Sequence, residues 1–284
     1  MENSEILLGK NCLITGATSG IGRATAVSLA SMGAEVIILS RDLDRCNETV
    51  ADIQKVTRNT HITAYQVDLS SQQDIRRFAE IFHHEHAKLD VLVNNVGGIF
   101  LSRKESVDGI EMNFALNHLS YFLLTNLVLD TLIASAPARI VNVSSNGHYG
   151  YPLNFDDLQF NRGYNFRKVY GCSKMANILF TYALDRRLAG TGVTVNALHP
   201  GFVNTNIAKD NGFFVRWLYP LIMRKALTVE EGAQTSIYLA SSPEVEGVSG
   251  KYFAKMKSVK SDPFSYDETA AQRLWEISAA LTGI

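Results

Sequence analysis

Three glycines lie close together near the start of the chain, where a short apolar segment meets an amphipathic one. Residues 11–15 are predicted to form a strand that runs into Gly16-Ala-Thr-Ser-Gly20-Ile-Gly22. We expect Gly16 to permit a tight turn, Gly20 to let the backbone approach a diphosphate, and Gly22 to let helix and strand pack closely. The spacing differs from G-x-G-x-x-G, and a plain strand–helix turn is the alternative. Three glycines at a helix start, where amides and the helix dipole favour anions, favour a dinucleotide site.

The rest of the chain alternates strand-like and helix-like segments. The predicted strands are 11–15, 36–39, 61–67, 90–94, 139–143 and 193–198, and the predicted helices are 23–32, 42–54, 71–87, about 109–134 and the segment around Tyr170. This alternation predicts an α/β fold with a doubly wound parallel sheet of the Rossmann type and helices on both faces. We find no linker or repeat, so residues 1–284 are predicted to form a single domain. Ligands of such folds bind at the carboxyl ends of the strands.

Composition excludes several classes of function. A net charge of -1 provides no basic surface for nucleic acid. The first ten residues do not resemble a signal peptide, and the best apolar segment, 213–223, is too short to span a membrane and contains Arg216. The sequence therefore predicts a soluble protein without an integral membrane segment.

The three cysteines predict neither a metal site nor a set of disulfides. They share no metal-binding spacing, and any disulfide would leave one thiol over, which suits a reducing cytoplasm. They are Cys12, Cys46 and Cys172. The run His83-His84-Glu85-His86 has two histidines near one helical face but no third ligand, so we interpret it as a solvated helix end and predict no metal.

The residues after the second predicted strand indicate which nicotinamide cofactor the chain prefers. An acidic residue there would bind the ribose 2′-hydroxyl of NAD, but this chain has Ser40-Arg41. A guanidinium matches a phosphate in charge and geometry, and Arg23 could add a second positive charge. Asp42 is expected to cap the next helix instead. The sequence therefore predicts NADP.

Two further strand ends are expected beside the cofactor. Asp68 follows the third strand and could accept a hydrogen bond from the adenine amino group, or it could cap the helix that begins near Ser71. Asn94-Asn95-Val96-Gly97 ends the fourth strand. We expect its asparagine amides to tie backbone loops together and Gly97 to make room for the adenosine.

Tyr170 and Lys174 stand four residues apart, which places them on one face of a helix, one turn from each other. A neighbouring ammonium favours the phenolate, so we expect the pKa of the Tyr170 phenol to lie below its ordinary value. By itself the pair is a weak signal, because surface pairing also produces it.

Several motifs occur along the chain in a specific order. They are the loop 15–22, the turn 94–97, Ser144-Ser145 after a strand, Tyr170-x-x-x-Lys174 and Pro200-Gly201. Together they resemble the short-chain dehydrogenase/reductase family over roughly residues 10–255. The segments 117–119, 170–177, 250–253 and 272–284 look most like its retinol-dehydrogenase-like branch, which prefers NADP and acts on lipophilic alcohols and carbonyls. Val96 departs from the family's usual alanine, and we expect no amino-terminal membrane anchor, although retinol dehydrogenases often carry one.

The resemblance implies hydride transfer between nicotinamide and a carbonyl carbon. Tyr170 would be the general acid in reduction and the general base in oxidation, while Lys174 would stabilise its phenolate and bind the ribose. Ser145 would hydrogen-bond the substrate oxygen, and Asn117 would hold a water in the proton relay. Ser144 is expected to bond locally to backbone.

Asn113 is the rival candidate for the asparagine role, but the neighbouring Asn-His-Leu match favours Asn117. The resemblance also implies the residues that contact the cofactor. They are Gly16, Thr18, Ser19, Gly20, Ile21, Gly22, Ser40, Arg41, Asp68, Leu69, Asn95, Gly97, Tyr170, Lys174, Pro200, Gly201, Val203 and Thr205.

Residues 206–226 are rich in aromatic and apolar side chains, and we expect them to form a lid over a bulky, lipophilic substrate. A helix packed on the core and a surface that touches a membrane are the alternatives. His148 and Tyr149 could line the cleft or serve loop packing. Cys172 is expected to face away from the site.

Two other functions are alternatives to the oxidoreductase. One is a catalytically silent NADP(H)-binding sensor or scaffold, which would tolerate loss of Tyr170, Lys174 or Ser145. The other is an epimerase-like enzyme, for which too few residues follow the last strand. By analogy with the family, a homodimer through helices 109–134 and 169–189 is possible.

Overall fold

A computed structural model describes residues 6–203 and 226–284 of the chain. In this part of the chain one sheet of eight strands has the order β3-β2-β1-β4-β5-β6-β7-β8. The strands are β1 Asn11–Thr15, β2 Glu35–Ser40, β3 Ile62–Gln66, β4 Val91–Asn94, β5 Ala138–Val143, β6 Val193–His199, β7 Lys251–Ala254 and β8 Lys257–Val259. All neighbouring pairs are parallel except β7–β8. The doubly wound sheet is thus confirmed, with an antiparallel edge that the alternation did not predict.

Helices lie between the strands and cover both faces of the sheet. They are α1 Gly20–Ser31, α2 Leu43–Thr57, α3 Gln72–Glu85, α4 Met112–Phe114, α5 Ser120–Leu127, α6 Leu129–Ala134, α7 Phe166–Arg187, α8 Val229–Ser241 and α9 Glu268–Thr282. A π-helical turn, Ala115–Leu119, joins α4 to α5. α1 begins three residues earlier than predicted, because the helix starts within the glycine loop.

The central strands carry apolar side chains on both faces, as buried parallel strands require. On β1, Leu13 belongs to the core shared with α3 and α5, whereas Ile14 belongs to the core shared with α1 and α8. Both side chains are fully buried. The sheet is therefore held between two apolar layers, and its strand ends are fixed relative to one another.

The long helix expected at 109–134 is interrupted. Glu111 caps α4, because its carboxylate accepts hydrogen bonds from the amides of Asn113 and Phe114. The π-helical turn follows at once, and a second break at Val128 separates α5 from α6. Hydrophobic periodicity does not detect one extra residue in a helical turn, so the sequence predicted a continuous helix.

Two predictions about helix starts had different outcomes. Asp42 caps α2 through a 3.1 Å bond from Arg45 N, as expected. The alternative cap role of Asp68 is wrong, because Ser71 caps α3 by accepting a bond from Asp74 N. A hydroxyl adjacent to the first helical residue reaches its amides more directly than a carboxylate three residues further back.

α9 packs across the two helices that are a possible homodimer surface by analogy with the family. The indole of Trp275 contacts Phe122 of α5 and Phe180 of α7, with centroid distances of 5.0 and 5.8 Å. Arg187 stacks on the other side of Trp275 at 3.8 Å. The contact between α5 and α7 is thus covered by the chain itself. Among the described residues, no helix combines the length and apolar character needed to cross a bilayer.

Candidate active site

The glycine loop makes the turn that the sequence predicted. Gly16 has φ +65° and Gly20 has φ +56°, values that side chains with a Cβ rarely adopt. A Cβ at Gly22 would lie 2.4 Å from Gly16 O and from Asn95 Nδ2. Gly22 therefore lets α1 approach the loop and the neighbouring turn closely.

The turn after β4 is tied to the glycine loop. Asn95 Nδ2 donates to Thr15 O at 2.8 Å and to Gly16 O at 3.2 Å. Thr15 Oγ1 accepts from the amides of Asn95 and Val96. The expectation that an asparagine amide ties these loops together is confirmed. A Cβ at Gly16 would lie 3.0 Å from Val96 Cα and 3.3 Å from Val96 Cβ, so the absence of a side chain at Gly16 leaves room for the turn that contains Val96.

The region expected to hold a 2′-phosphate lies at the end of β2. Ser40 Oγ is 3.2 Å from Thr18 Oγ1, so the second strand end and the glycine loop share a hydrogen bond. Arg41 follows and its side chain is exposed. Arg23 is 3.1 Å from Asp52 in an exposed ion pair, which draws that guanidinium toward α2. The Arg23 side chain is thus directed away from the end of β2, where Arg41 is the arginine next to Ser40.

Asp68 and Leu69 lie at the end of β3, as the sequence required. Asp68 Oδ1 accepts from Ser70 N and from Ser70 Oγ, and the side chain is half-buried. Leu69 is buried in the core beside α3. Any contact of Leu69 with a nucleotide would therefore use its backbone.

Two glycines bring the four predicted catalytic residues close together. A Cβ at Gly147 would lie 3.2 Å from the Tyr170 ring and 3.3 Å from Ser145 Oγ. A Cβ at Gly97 would lie 3.2 Å from Asn117 Oδ1 and 3.3 Å from Lys174 Nζ. Gly97 is therefore small because these two side chains converge on it, a reason that the sequence did not reveal.

The Lys174 ammonium lies in an almost closed environment. Its residue is 2 % exposed, and Nζ donates to Val143 O at 3.0 Å. Nζ also lies 5.7 Å from the centroid of the Tyr121 ring and 5.9 Å from that of Tyr170. Loss of solvent lowers the pKa of Lys174 to about 7.

The pKa of Tyr170 moves in the opposite direction from the one expected. Burial raises it above its ordinary value, and a hydrogen bond with the Ser145 side chain opposes the rise. The prediction of a lowered pKa is therefore wrong for the protein alone, because the loss of water around the phenol outweighs the hydrogen bond with Ser145. Ser145 Oγ also accepts from Gly147 N at 3.0 Å, which fixes its direction.

Asn117 lies in the π-helical turn and is fully buried. Its Nδ2 donates to Ser173 Oγ at 3.0 Å, and Ser173 Oγ donates to Tyr170 O at 2.7 Å. Asn113 Nδ2 instead donates to Glu111 and to Tyr164 OH. The geometry thus favours Asn117 over Asn113 as the residue near Tyr170.

Ser144 and Ser145 point to different places. Ser144 Oγ donates to Lys174 O at 2.8 Å, a backbone contact as expected but with a helix 30 residues away rather than a local one. It ties the end of β5 to α7, which sets the distance between Ser145 and Tyr170. The two serines therefore have separate tasks.

The loop after Ser145 is held by buried contacts. His148 Nδ1 lies 2.5 Å from Ser145 O, and His148 Nε2 accepts from Asp262 N at 3.1 Å. Burial lowers the pKa of His148, which favours this neutral form. Tyr149 is 45 % exposed and donates to Lys260 O. Of the two roles considered, loop packing is the one that His148 fulfils.

The segment after β6 is described only as far as residue 203. Pro200 and Gly201 follow the strand, and Gly201 has φ +98° with its amide on His199 Nδ1. The Val203 side chain is buried against Gly232 of α8, so any contact of Val203 with a cofactor would use its backbone. Thr205 and nearly all of the predicted lid, 206–225, lie outside the described residues.

The histidines at the end of α3 have protein partners. His83 Nε2 lies 2.9 Å from Leu127 O, and His86 Nε2 lies 2.9 Å from Tyr65 OH. In the part of the chain that the structure describes, no group of three side chains is arranged to hold a metal ion. Cys172 is buried against the carbonyls of Tyr151 and Pro152, away from Tyr170 as expected.

Several residues that shape the site were not singled out from the sequence. Ser173 and Tyr121 touch catalytic candidates, and Gly171 allows the loop after Ser145 to approach α7, since its Cβ would lie 2.7 Å from Gly147 O. A glycine inside a helical pattern was a usable signal for close approach. Ser173 and Tyr121 carry no such signal, because their partners are distant in sequence.

Comparisons with known proteins show which family the chain resembles along its length. The family model described as short chain dehydrogenase matches residues 10–212. Human retinol dehydrogenase 13 is 44% identical over 282 residues, which cover 97% of this chain and 85% of that protein. Human retinol dehydrogenase 14 is also 44% identical and covers 98% of this chain and 88% of its own length.

Solved structures share the fold. A putative uncharacterized protein from Mycobacterium paratuberculosis has a TM-score of 0.80 and 30% identity, over 99% of this chain and 96% of that one. The Pseudomonas aeruginosa RhlG/NADP active-site complex has a TM-score of 0.72 and 28% identity, over 89% and 97% of the two chains.

Proposed function

This chain belongs to the short-chain dehydrogenase/reductase family, and on that premise we propose that it is an NADP(H)-dependent oxidoreductase acting on a lipophilic carbonyl or alcohol. The observation that carries the proposal is the convergence of Ser145 and Tyr170 on Gly147, and of Lys174 and Asn117 on Gly97. The Tyr170 phenol, the Ser145 hydroxyl and the buried Lys174 ammonium then lie close together at adjacent strand ends, beside the glycine loop. Retinol dehydrogenase relatives, by their name, support a retinoid-like alcohol, and we extend the proposal to aldehydes, ketones and steroid-like compounds of similar lipophilic character.

The residues at the strand ends fit a nicotinamide dinucleotide. The glycine loop has the positive φ values of a backbone cradle, and the first turn of α1 contains no acidic residue that would repel a diphosphate. Lys174 is the residue that would hold the nicotinamide ribose, and Asp68 the adenine. When bound, the cofactor supplies or accepts the hydride at C4 of its nicotinamide ring.

The preference for NADP rests on the end of β2. Ser40 removes the carboxylate that would compete with a 2′-phosphate, and its bond to Thr18 holds the strand end beside the loop. Arg41 offers a fork of donors that suits phosphate oxygens. Complexes with NADP among proteins of this fold are consistent with this choice.

Tyr170, Ser145 and Lys174 perform the proton chemistry. In reduction, Tyr170 donates its phenolic proton to the substrate oxygen while Ser145 hydrogen-bonds the same oxygen. Lys174 stabilises the phenolate that results, and the buried surroundings strengthen this interaction because water does not screen it. The raised pKa of Tyr170 keeps the phenol protonated and ready to donate before the reaction.

Asn117 supports the proton relay through its position. Both of its Nδ2 hydrogens have partners, Gly98 O and Ser173 Oγ, so we assign the side chain to holding the turn and the relay water to the backbone of Asn117 itself. The residue is therefore the one that the sequence suggested, but a backbone atom replaces the side chain as the partner of the water.

The substrate side of the cleft is proposed from the flanks of the segment 206–226. Phe202 is 53 % exposed and Leu227 is 36 % exposed, so apolar surface lies on both sides of that segment. A lid there would exclude water from a bulky apolar substrate. Residues 1–284 are proposed to act as one domain, and the three free, buried thiols suit a reducing compartment such as the cytoplasm.

The experiment that tests the function measures loss of NADPH absorbance with a panel of apolar aldehydes and ketones, including retinal and a steroid ketone. We expect turnover on at least one of them, and a fall of about 10³-fold in kcat for Tyr170→Phe with little change in NADPH affinity. Tyr182→Phe on the same helix, whose hydroxyl bonds Ser261, is the matched control. Tight NADPH binding with no turnover on any compound would favour the sensor or scaffold alternative.

A further inference from the structure

The hydroxyl of Tyr121 joins the ends of two strands. The residue lies on α5 and is fully buried, and its single hydroxyl hydrogen is shared between Val96 O, at 2.8 Å, and Val143 O, at the longer distance of 3.4 Å. Val96 belongs to the turn after β4, and Val143 is the last residue of β5. One hydroxyl therefore holds two backbone carbonyls together where the predicted cofactor and substrate meet.

One of these carbonyls is also the partner of Lys174. Lys174 Nζ donates to Val143 O at 3.0 Å, so the ammonium and the Tyr121 hydroxyl share the same acceptor. The ammonium further lies 5.7 Å from the centroid of the Tyr121 ring, within the range of a cation–π contact. Tyr121 thus contacts the surroundings of Lys174 through its ring and through its hydroxyl.

The turn after β4 depends on Tyr121 as well. Thr15 Oγ1 accepts from Val96 N at 3.0 Å, and Tyr121 OH donates to Val96 O on the other side of the same residue. Gly97 comes next and lies against Lys174 Nζ. A shift of Val96 O would move Gly97 and change the space that the ammonium occupies.

We propose that Tyr121 is a positioning residue for Lys174, which it acts on by fixing Val143 O and the turn containing Gly97. This inference rests on the proposed function, in which Lys174 stabilises the Tyr170 phenolate and holds the ribose. The simpler role for a buried tyrosine is core packing with a satisfied hydroxyl. Packing alone predicts a loss of stability without a specific energetic link to Lys174.

The first test is a double-mutant cycle that requires no activity. Tyr121→Phe keeps the ring and removes one oxygen, so it preserves the packing that an alanine would destroy. The unfolding equilibrium in urea is measured for the wild type, Tyr121→Phe, Lys174→Met and the double variant, without nucleotide. We expect coupling of at least about fivefold in the unfolding constant, because the two side chains share Val143 O. Additivity within about twofold would overturn the proposal.

The second test separates positioning from packing in the kinetics. We expect Tyr121→Phe to lower kcat about tenfold and raise the NADPH dissociation constant about threefold, with the carbonyl KM changed less than about twofold. Tyr182→Phe also removes a buried hydroxyl, but one that lies on α7 about three turns beyond Tyr170 and bonds Ser261. This variant should leave kcat, KM and the NADPH dissociation constant near their wild-type values. Equal effects of the two variants would show that only packing is lost.

The two tests also distinguish this inference from the proposed function. If the wild type reduces none of the carbonyls, the oxidoreductase proposal fails on that result alone. The urea cycle still decides whether Tyr121 and Lys174 are coupled, since it uses neither cofactor nor substrate. A coupled pair would support the positioning role, and an additive pair would exclude it.

Discussion

Asn117 and Gly98 bind each other in both directions. Asn117 Oδ1 accepts from Gly98 N at 2.8 Å, and Asn117 Nδ2 donates to Gly98 O at 3.0 Å. The Asn117 side-chain amide, in the π-helical turn between α4 and α5, thereby makes the two backbone hydrogen bonds that a neighbouring strand would otherwise make with the turn after β4. Asn117 therefore fixes the backbone next to Gly97 at the edge of the site.

We predict that Asn117→Ala is less stable than the wild type by about 2–4 kcal/mol. The change removes three buried hydrogen bonds and leaves both polar groups of Gly98 without that partner. Urea unfolding measures this loss, and kcat should fall with it because Gly97 is no longer held. Asn126→Ala removes an asparagine on α5 that donates to Phe122 O, and it should cost much less. Equal losses would contradict a special role for Asn117.

A second prediction concerns pH and the buried Lys174. Its pKa is about 7 in the folded protein and 10.5 in ordinary surroundings, so between these values the unfolded chain binds more protons. The free energy of unfolding therefore rises with pH between about 7 and 10.5. Below pH 7 Lys174 is charged in both states, and the folded protein bears the full cost of burying that charge. Lys174→Met should stabilise the nucleotide-free protein clearly at pH 6 and much less at pH 9. Urea unfolding at both pH values checks this, and a gain independent of pH would contradict it.

Cofactor choice gives the third prediction. Arg41→Ala should raise the dissociation constant of NADPH about 10- to 100-fold and leave that of NADH nearly unchanged, because only NADPH carries the 2′-phosphate. Arg45→Ala, four residues on, loses the same charge and serves as the control; Arg45 pairs with Asp42. Fluorescence titration with the two cofactors measures both constants. An equal loss for NADPH and NADH would assign the phosphate contact to another residue.

The fourth prediction concerns oligomeric state. Because Trp275 already covers Phe122 and Phe180, the helices expected to form a dimer offer little free apolar surface there. We expect light scattering to give the mass of a single chain, 31.4 kDa. Trp275→Ala should expose this surface and lower stability by about 3–5 kcal/mol. Twice the single-chain mass for the wild type would show that another surface associates.

The sequence predicted the parts of this protein that depend on local pattern. The apolar runs of β1 and β2, the cap at Asp42 and the turn at Gly16 follow from periodicity, hydrogen-bonding reach and backbone freedom, which act over a few residues. The order of the motifs further predicted that Ser145, Tyr170 and Lys174 belong to one site. These properties do not depend on how distant segments pack.

Packing between segments decided the rest. The pKa of Tyr170 rises because tertiary burial removes water from the phenol, although its helical neighbour Lys174 suggested the opposite. The Asn117 side chain hydrogen-bonds Gly98, and the Tyr121 hydroxyl contacts Val96 O and Val143 O. These contacts form because the helices and the strand ends meet only in the folded chain. Desolvation and hydrogen bonds across long sequence separations have no local signature. The sequence by itself therefore determined the fold and the candidate residues of the site, and the tertiary structure decided which side chains meet there and which of their atoms remain available for chemistry.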